Sequence, residues 1–105
     1  MEKMNVRYDG VFSKKGDMVY ISHLDLMTLF RRALRRSRLP VVITGGFTPR
    51  VKISAPMALK LGKESENEHM SLWLKEKIPG DRVMDSINKQ LPEGVKFSDM
   101  RELRK

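Results

Sequence analysis

The chain has 105 residues, with 21 Lys or Arg against 13 Asp or Glu, a net charge of +8, 40% apolar residues and no cysteine. The length suits one domain with one modest core, and the missing cysteine excludes a disulfide scaffold, a Cys-ligated zinc or iron–sulfur site and a thiol nucleophile. No apolar run approaches the ~20 residues of a membrane-spanning helix, and Met1–Arg7 lacks a signal-peptide stretch, so a cytoplasmic protein with no membrane role is expected.

Met4, Val6, Tyr8, Gly10 and Phe12 alternate with Asn5, Arg7, Asp9 and Val11, the period of a half-buried strand. Ser13–Asp17 reads as a turn, and Met18–Ile21 as a short returning strand or a continuation of the first. Ser22 opens the clearest helix: its hydroxyl can cap a free N–H, and Asp25 suits the positive end of the dipole. Leu26, Met27, Leu29, Phe30, Ala33 and Leu34 fall on one side through Arg38, the arginines on the other, and Pro40 stops the helix. Val41–Ile43 reads as a second strand. Gly45–Pro49 reads as a loop, because two glycines and a proline defeat both regular periods. Val51, Ile53 and Ala55 suggest an extended arm, and Pro56–Glu66 is mostly loop. Met70, Leu72 and Leu74 alternate within a strand over 68–76. Asp81 can cap a second helix carrying Val83, Met84, Ile87 and Leu91, and Val95–Phe97 begins a last strand. From Met100 the chain is charged and looks unfinished. The order strand, helix, strand, strand, helix, strand is that of an α+β, ferredoxin-like split βαβ fold: an antiparallel sheet with two helices on one face.

The charge is unevenly placed. Residues 1–60 carry twelve Lys or Arg against four Asp or Glu, and residues 61–105 carry nine of each. A basic field confined to one part suggests a polyanionic partner, nucleic acid first. Its centre is the first helix. Arg31, Arg35 and Arg38 form one row and Arg32 and Arg36 another, with Asp25 the only acid in the helix. Such rows call for phosphates or for acids from elsewhere. Arg50 and Lys52 extend the patch if their arm lies beside the helix. The other reading is a solvated face partly neutralised by Glu64, Glu66 and Glu68 across a fold or dimer contact. Paired aromatics of an RNA-recognition sheet are not found.

His23 and Asp25 are two positions apart on a helix and point in different directions, which favours structural roles: Asp25 at the helix start, His23 bonded into a following loop or Gly45-Gly46. A metal site from His23, His69 and Glu68 or Asp25 requires the fold to bring them together; no metal or other cofactor is expected. Gly45–Pro49 lacks a nucleotide-loop motif. It can cradle a phosphate beside Arg50, or form a tight turn whose Phe47 plugs an apolar gap. The methionines at 27, 57, 70, 84 and 100 read as core filler.

Ser22-His23-Leu24-Asp25-Leu26, then Phe30–Arg36 and Leu39-Pro40, and Gly46-Phe47-Thr48-Pro49 resemble a known family, as do Leu59, Leu61-Gly62, Glu64-Ser65, Glu68 and Leu91–Val95. It is the radical-SAM-linked domain of unknown function, found fused to cobalamin-binding radical-SAM proteins or encoded beside them. The resemblance covers about residues 7–97 and marks Ser22, His23, Asp25, Gly46, Phe47, Pro49, Ser65 and Glu68 as motif positions. The chain departs from it at Thr48, where Asn is usual, and at Arg50-Val51, where His-Pro is usual. The family's domain is longer, so residues 1–105 are expected to form a single domain that is the N-terminal part of it.

The resemblance implies a radical-SAM partner. Members of that family often lie near genes for a ribonuclease and large-subunit ribosomal proteins, so the resemblance also implies RNA-related work. The expectation is a non-catalytic accessory that binds RNA or positions a substrate through Arg31, Arg32, Arg35, Arg36, Arg50 and Lys52, with homo-oligomerisation left open. The alternatives are a docking module for the radical-SAM enzyme and an RNA-processing enzyme built on His23.

Overall fold

The first strand, β1 (Val6–Lys14), turns Tyr8, Gly10, Phe12 and Lys14 to the buried side and their neighbours outward. The computed structural model describes residues 5–55 and 62–103. After β1 come α1 (His23–Arg36), β2 (Ile53–Ser54), β3 (Ser65–Leu74), α2 (Gly80–Asn88) and β4 (Val95–Leu103). The strands form one antiparallel sheet in the order β2-β3-β1-β4. β1 and β2 flank β3, and β3 and β4 flank β1, so two split βαβ units interleave in the expected ferredoxin-like arrangement. Met4, Met57, Leu59 and Leu61 lie outside the described residues.

Both helices pack on one side of the sheet. From α1 come Leu26, Met27, Phe30, Ala33 and Leu34, and from α2 Val83 and Ile87. They meet Tyr8, Phe12, Met70, Leu72, Leu74, Phe97 and Met100 of the strands. At the centre, Phe12, Phe30 and Phe97 form a trio with ring centroids 5.0–5.5 Å apart, two pairs tilted and one edge-to-face, a favoured aromatic geometry. Gly10 makes room for it: a Cβ there would lie 2.6 Å from the Phe97 ring.

Helix α1 begins as its sequence requires, with the Asp25 N–H donating to Ser22 Oγ at 3.1 Å. It ends earlier than Pro40 suggests. Ser37 is the C-cap and Arg38, at φ 64, turns into the left-handed region, the conformation that commonly closes a helix. Arg38 therefore leaves the row of Arg31 and Arg35. In α2 the cap is Pro79 rather than Asp81, whose carboxylate sits in the first turn without a capping bond and complements the dipole from there.

Three other expectations are corrected. Met18–Ile21 is no strand: Gly16, at φ 61, turns the chain into a 3-10 helix over Gly16–Tyr20 that buries Val19. An apolar run that short carries no usable period. Val41–Ile43 makes two isolated bridges, Val41 to Leu74 and Ile43 to Val51. It changes partner between them, so no ladder forms, and the second strand is Ile53–Ser54. Finally, the charged end is ordered sheet through Leu103. The register shifts between Val11 and Phe12, which face Asp99 and Phe97. The extra residue, Ser98, is a bulge that puts Phe97 and Met100 on the same side despite their odd spacing.

Two polar contacts lock α2 and its entry to the sheet. Asn88 receives the Phe97 N–H at 2.8 Å and donates to the Phe97 carbonyl at 3.0 Å. Tyr8 Oη accepts from Ile78 N at 2.8 Å and donates to the Ile78 carbonyl. Removing the first pair in Asn88→Ala leaves two half-buried backbone groups unpaired. Stability is expected to fall by about 1–3 kcal/mol, read as a lower denaturant midpoint at constant slope.

Burial raises the Tyr8 pKa above its ordinary 10.0; the Ile78 backbone bond opposes the shift and Glu102 adds to it. The folded protein thus holds this proton more tightly than the unfolded chain. Its contribution is complete below pH 10.0 and is lost as pH rises through the raised folded value. Urea titrations at increasing pH should show stability falling less steeply above pH 10 in Tyr8→Phe than in the parent.

Candidate nucleic-acid interface

At about 100° per residue, the α1 arginines occupy an arc rather than one row. Arg31 lies at one border of the buried stripe, and its Nε donates to the Val51 carbonyl at 3.4 Å. Arg36 lies about 140° further round. Arg32 and Arg35 fall between them, and Arg32, Arg35 and Arg36 are exposed.

Arg32 and Arg36 line an open groove of about 650 Å³ between α1 and the turn after α2, with Asp25, Thr28, Lys89 and Gln90. Lys89 is the C-cap of α2 and supplies a third cation from the other wall. It was not foreseen, because its distance in sequence from α1 hides its closeness in the fold. Asp25 is the single carboxylate on the lining.

Two of the three acids expected to neutralise the helix are engaged elsewhere. Glu66 pairs with Lys15 at 3.0 Å, and Glu64 accepts the Gly16 N–H at 3.1 Å. Glu68 belongs to β3, opposite Phe12. Among the described residues, Arg31, Arg32, Arg35, Arg36 and Arg50 make no ion pair.

On the Arg31 side, residues 41–54 fold into a short finger. Thr44 N donates to the Arg50 carbonyl at 2.8 Å and Lys52 N to the Val42 carbonyl at 2.7 Å. Thr44 Oγ1 adds contacts to the Arg50 N and O, each at 3.2 Å. Gly46, at φ 104, turns the tip, where Thr44–Arg50 are all exposed. Phe47 plugs no gap: it is fully exposed, because the tip projects beyond the closing bonds and meets no other element. Gly46 and Pro49 thus shape a protruding turn.

Lys52 does not join the helix patch. Alternation along the arm sends Val51 into the core and Lys52 to the opposite side, where its Nζ lies 4.7 Å from the centre of the Trp73 ring. Arg7 approaches the same ring at 5.4 Å, and Arg7, Asp9 and Ser71 are hydrogen-bonded together. This is the uncovered face of the sheet, and its aromatic ring already holds two cations.

The remaining motif residues do not converge. Ser22 caps α1 and Asp25 lies on the groove. The expected loop bond of His23 is absent: its Nδ1 is buried without a hydrogen-bond partner, since the Gly45-Gly46 tip projects outward. Ser65 accepts the Asn67 N–H at the start of β3. His69 pairs in register with Val11 and is exposed, one position out of phase with buried Met70. The sheet therefore separates it from α1 and His23. Among the described residues no three potential metal-ligating side chains gather, and no helix is long and apolar enough to cross a membrane.

Residues 7–105 match the model of a family described as an uncharacterized protein conserved in bacteria, DUF2344. The chain belongs to this family. No curated protein and no solved structure matches it. In this DUF2344 chain, then, the arginine arc, the groove and the finger are the features that a ligand would meet, and the finger's shape depends on Thr44. Replacing it in Thr44→Val removes both side-chain bonds to Arg50. Amide exchange at Arg50 and Lys52 is expected to speed up about fivefold or more, while global stability changes by less than about 1 kcal/mol.

Proposed function

We propose that this domain is a non-catalytic RNA-binding accessory whose surface runs from the α1–α2 groove over α1 to the finger, positioning RNA for a radical-SAM partner. The carrying observation is the set of arginines on α1 that make no ion pair among the described residues, facing Lys89 across an open groove. Guanidinium groups fit phosphate oxygens through paired donors and lose little by giving up their weak hydration. Unpaired cations at close spacing repel one another, and a phosphate chain relieves that repulsion while releasing counterions. The groove is open to solvent rather than enclosed, which admits a polymer backbone. The radical-SAM partner rests on the sequence resemblance, and the cytoplasmic location on the absence of a signal-peptide stretch and of a membrane-length apolar run.

A docking module for the partner enzyme, without RNA, is the second reading. It is favoured by Tyr20 and Leu24, both largely exposed beside the start of α1. The two differ in salt dependence, since an apolar contact survives salt that screens phosphate contacts.

Binding to labelled single-stranded RNA should weaken with salt, with a log–log slope near −0.7 for each phosphate neutralised. Arg32→Glu/Arg36→Glu should bind about tenfold or more weakly at low salt, with a shallower slope and equal losses across sequences. Lys89→Ala should move binding in the same direction by a smaller factor. Parental affinity in both variants refutes the groove as the phosphate track.

A further inference from the structure

We propose that Phe47 is a base-stacking residue: the finger holds its ring out beside the arginine arc to receive an unpaired nucleobase of the strand whose phosphates lie on α1. The inference rests on the RNA-binding reading and assigns it a second, non-electrostatic subsite.

Three observations carry it. The first is exposure without adaptability. Phe47 is fully exposed, yet the chain beneath it is closed by the Thr44–Arg50 and Lys52–Val42 bonds and the Ile43–Val51 bridge. A ring on a braced support loses less conformational freedom on binding than one on an open loop.

The second is its surroundings. The tip offers Gly45, Gly46, Thr48 and Pro49 around one ring. No broad apolar patch surrounds the ring, whereas a flat π face beside small residues admits a base plane. Every base has such a face, so stacking tolerates sequence.

The third is charge. Among the described residues Arg50, at the finger's base, has no ion-pair partner, and the Arg31–Val51 bond ties the finger to the border of the arginine arc. Cationic track and aromatic ring are therefore on adjoining elements, the combination that single-strand binders use. Of the other rings with exposed surface, Trp73 already has Lys52 and Arg7 at its ring, and Tyr20 lies in the 3-10 helix before α1, off the finger.

The test measures binding of a fluorescently labelled oligoadenylate strand and of a blunt RNA duplex of equal length. The parent, Phe47→Ala, Phe47→Leu and Phe47→Trp are compared across a salt series, with Arg32→Glu/Arg36→Glu alongside. Phe47→Ala should bind the single strand about tenfold or more weakly, bind the duplex as the parent does, and keep the parental salt slope because no phosphate contact is lost. Phe47→Leu, apolar but without a π face, should resemble Phe47→Ala. Phe47→Trp should restore affinity, with its added emission quenched by the bound strand. Phe47 is fully exposed, so all three variants should retain the parental melting temperature.

Parental single-strand affinity in Phe47→Ala or Phe47→Leu, or equal losses on strand and duplex, overturns the stacking role. If the arginine variant alone loses binding, the RNA reading stands and the stacking role of Phe47 falls. If the parent binds neither RNA, both readings fall.

Discussion

The ring of Phe97 lying over Gly10 is the contact on which this fold depends. It brings β4 against β1 with no side chain between ring and backbone, and lets Phe97 meet Phe12 of β1 and Phe30 of α1 together. Three elements distant in sequence are thereby fixed at one point. Phe30 sets the roll of α1 about its own axis, and that roll decides which residues face water. With Leu26, Met27, Phe30, Ala33 and Leu34 turned inward, the arginines have nowhere to go but the outer arc. Phe97 also carries the Asn88 bonds, so the end of α2, and with it Lys89, is located by the same residue. The groove is a consequence of core packing rather than a separate construction.

The distribution of acids gives that arc its character. Glu64 and Glu66 serve the turn after β1, Asp9 and Asp99 hold arginines on the uncovered face, and Glu102 pairs with Lys77. Each pair is exposed and contributes little to stability. Their effect is to leave the arginines of α1 without an ion pair among the described residues, where their charge can attract a polyanion.

Much of the fold was legible in the sequence because α1, the middle of β1 and the end of β3 keep one period throughout, and because Ser22 is a true cap. The rest was hidden for identifiable reasons. Ser98 shifts the phase of β4 midway, so Phe97 and Met100 do not look like members of one strand. Val41–Ile43 answers to two partners and belongs to neither. Arg38 reads as helix until its φ is known. For the site, the residue types were legible and their grouping was not. Arg32 and Arg36 needed Lys89 from a different helix, alternation about Val51 carried Lys52 to the far face, and no local pattern distinguishes an exposed Phe47 from a buried one.

The position of Trp73 has an optical consequence. It is the only tryptophan in the chain, and it sits between Arg7 and Lys52 on the face of the sheet turned away from both helices. Its ultraviolet emission is set by those two cations and by the water around them, and the full thickness of the sheet lies between it and the groove. The parent protein thus carries a built-in reporter for one face only. Ligands confined to the groove leave it dark to their arrival, and any molecule that changes its spectrum has reached the bare side of the sheet, moved Lys52 through the finger or altered the strands themselves.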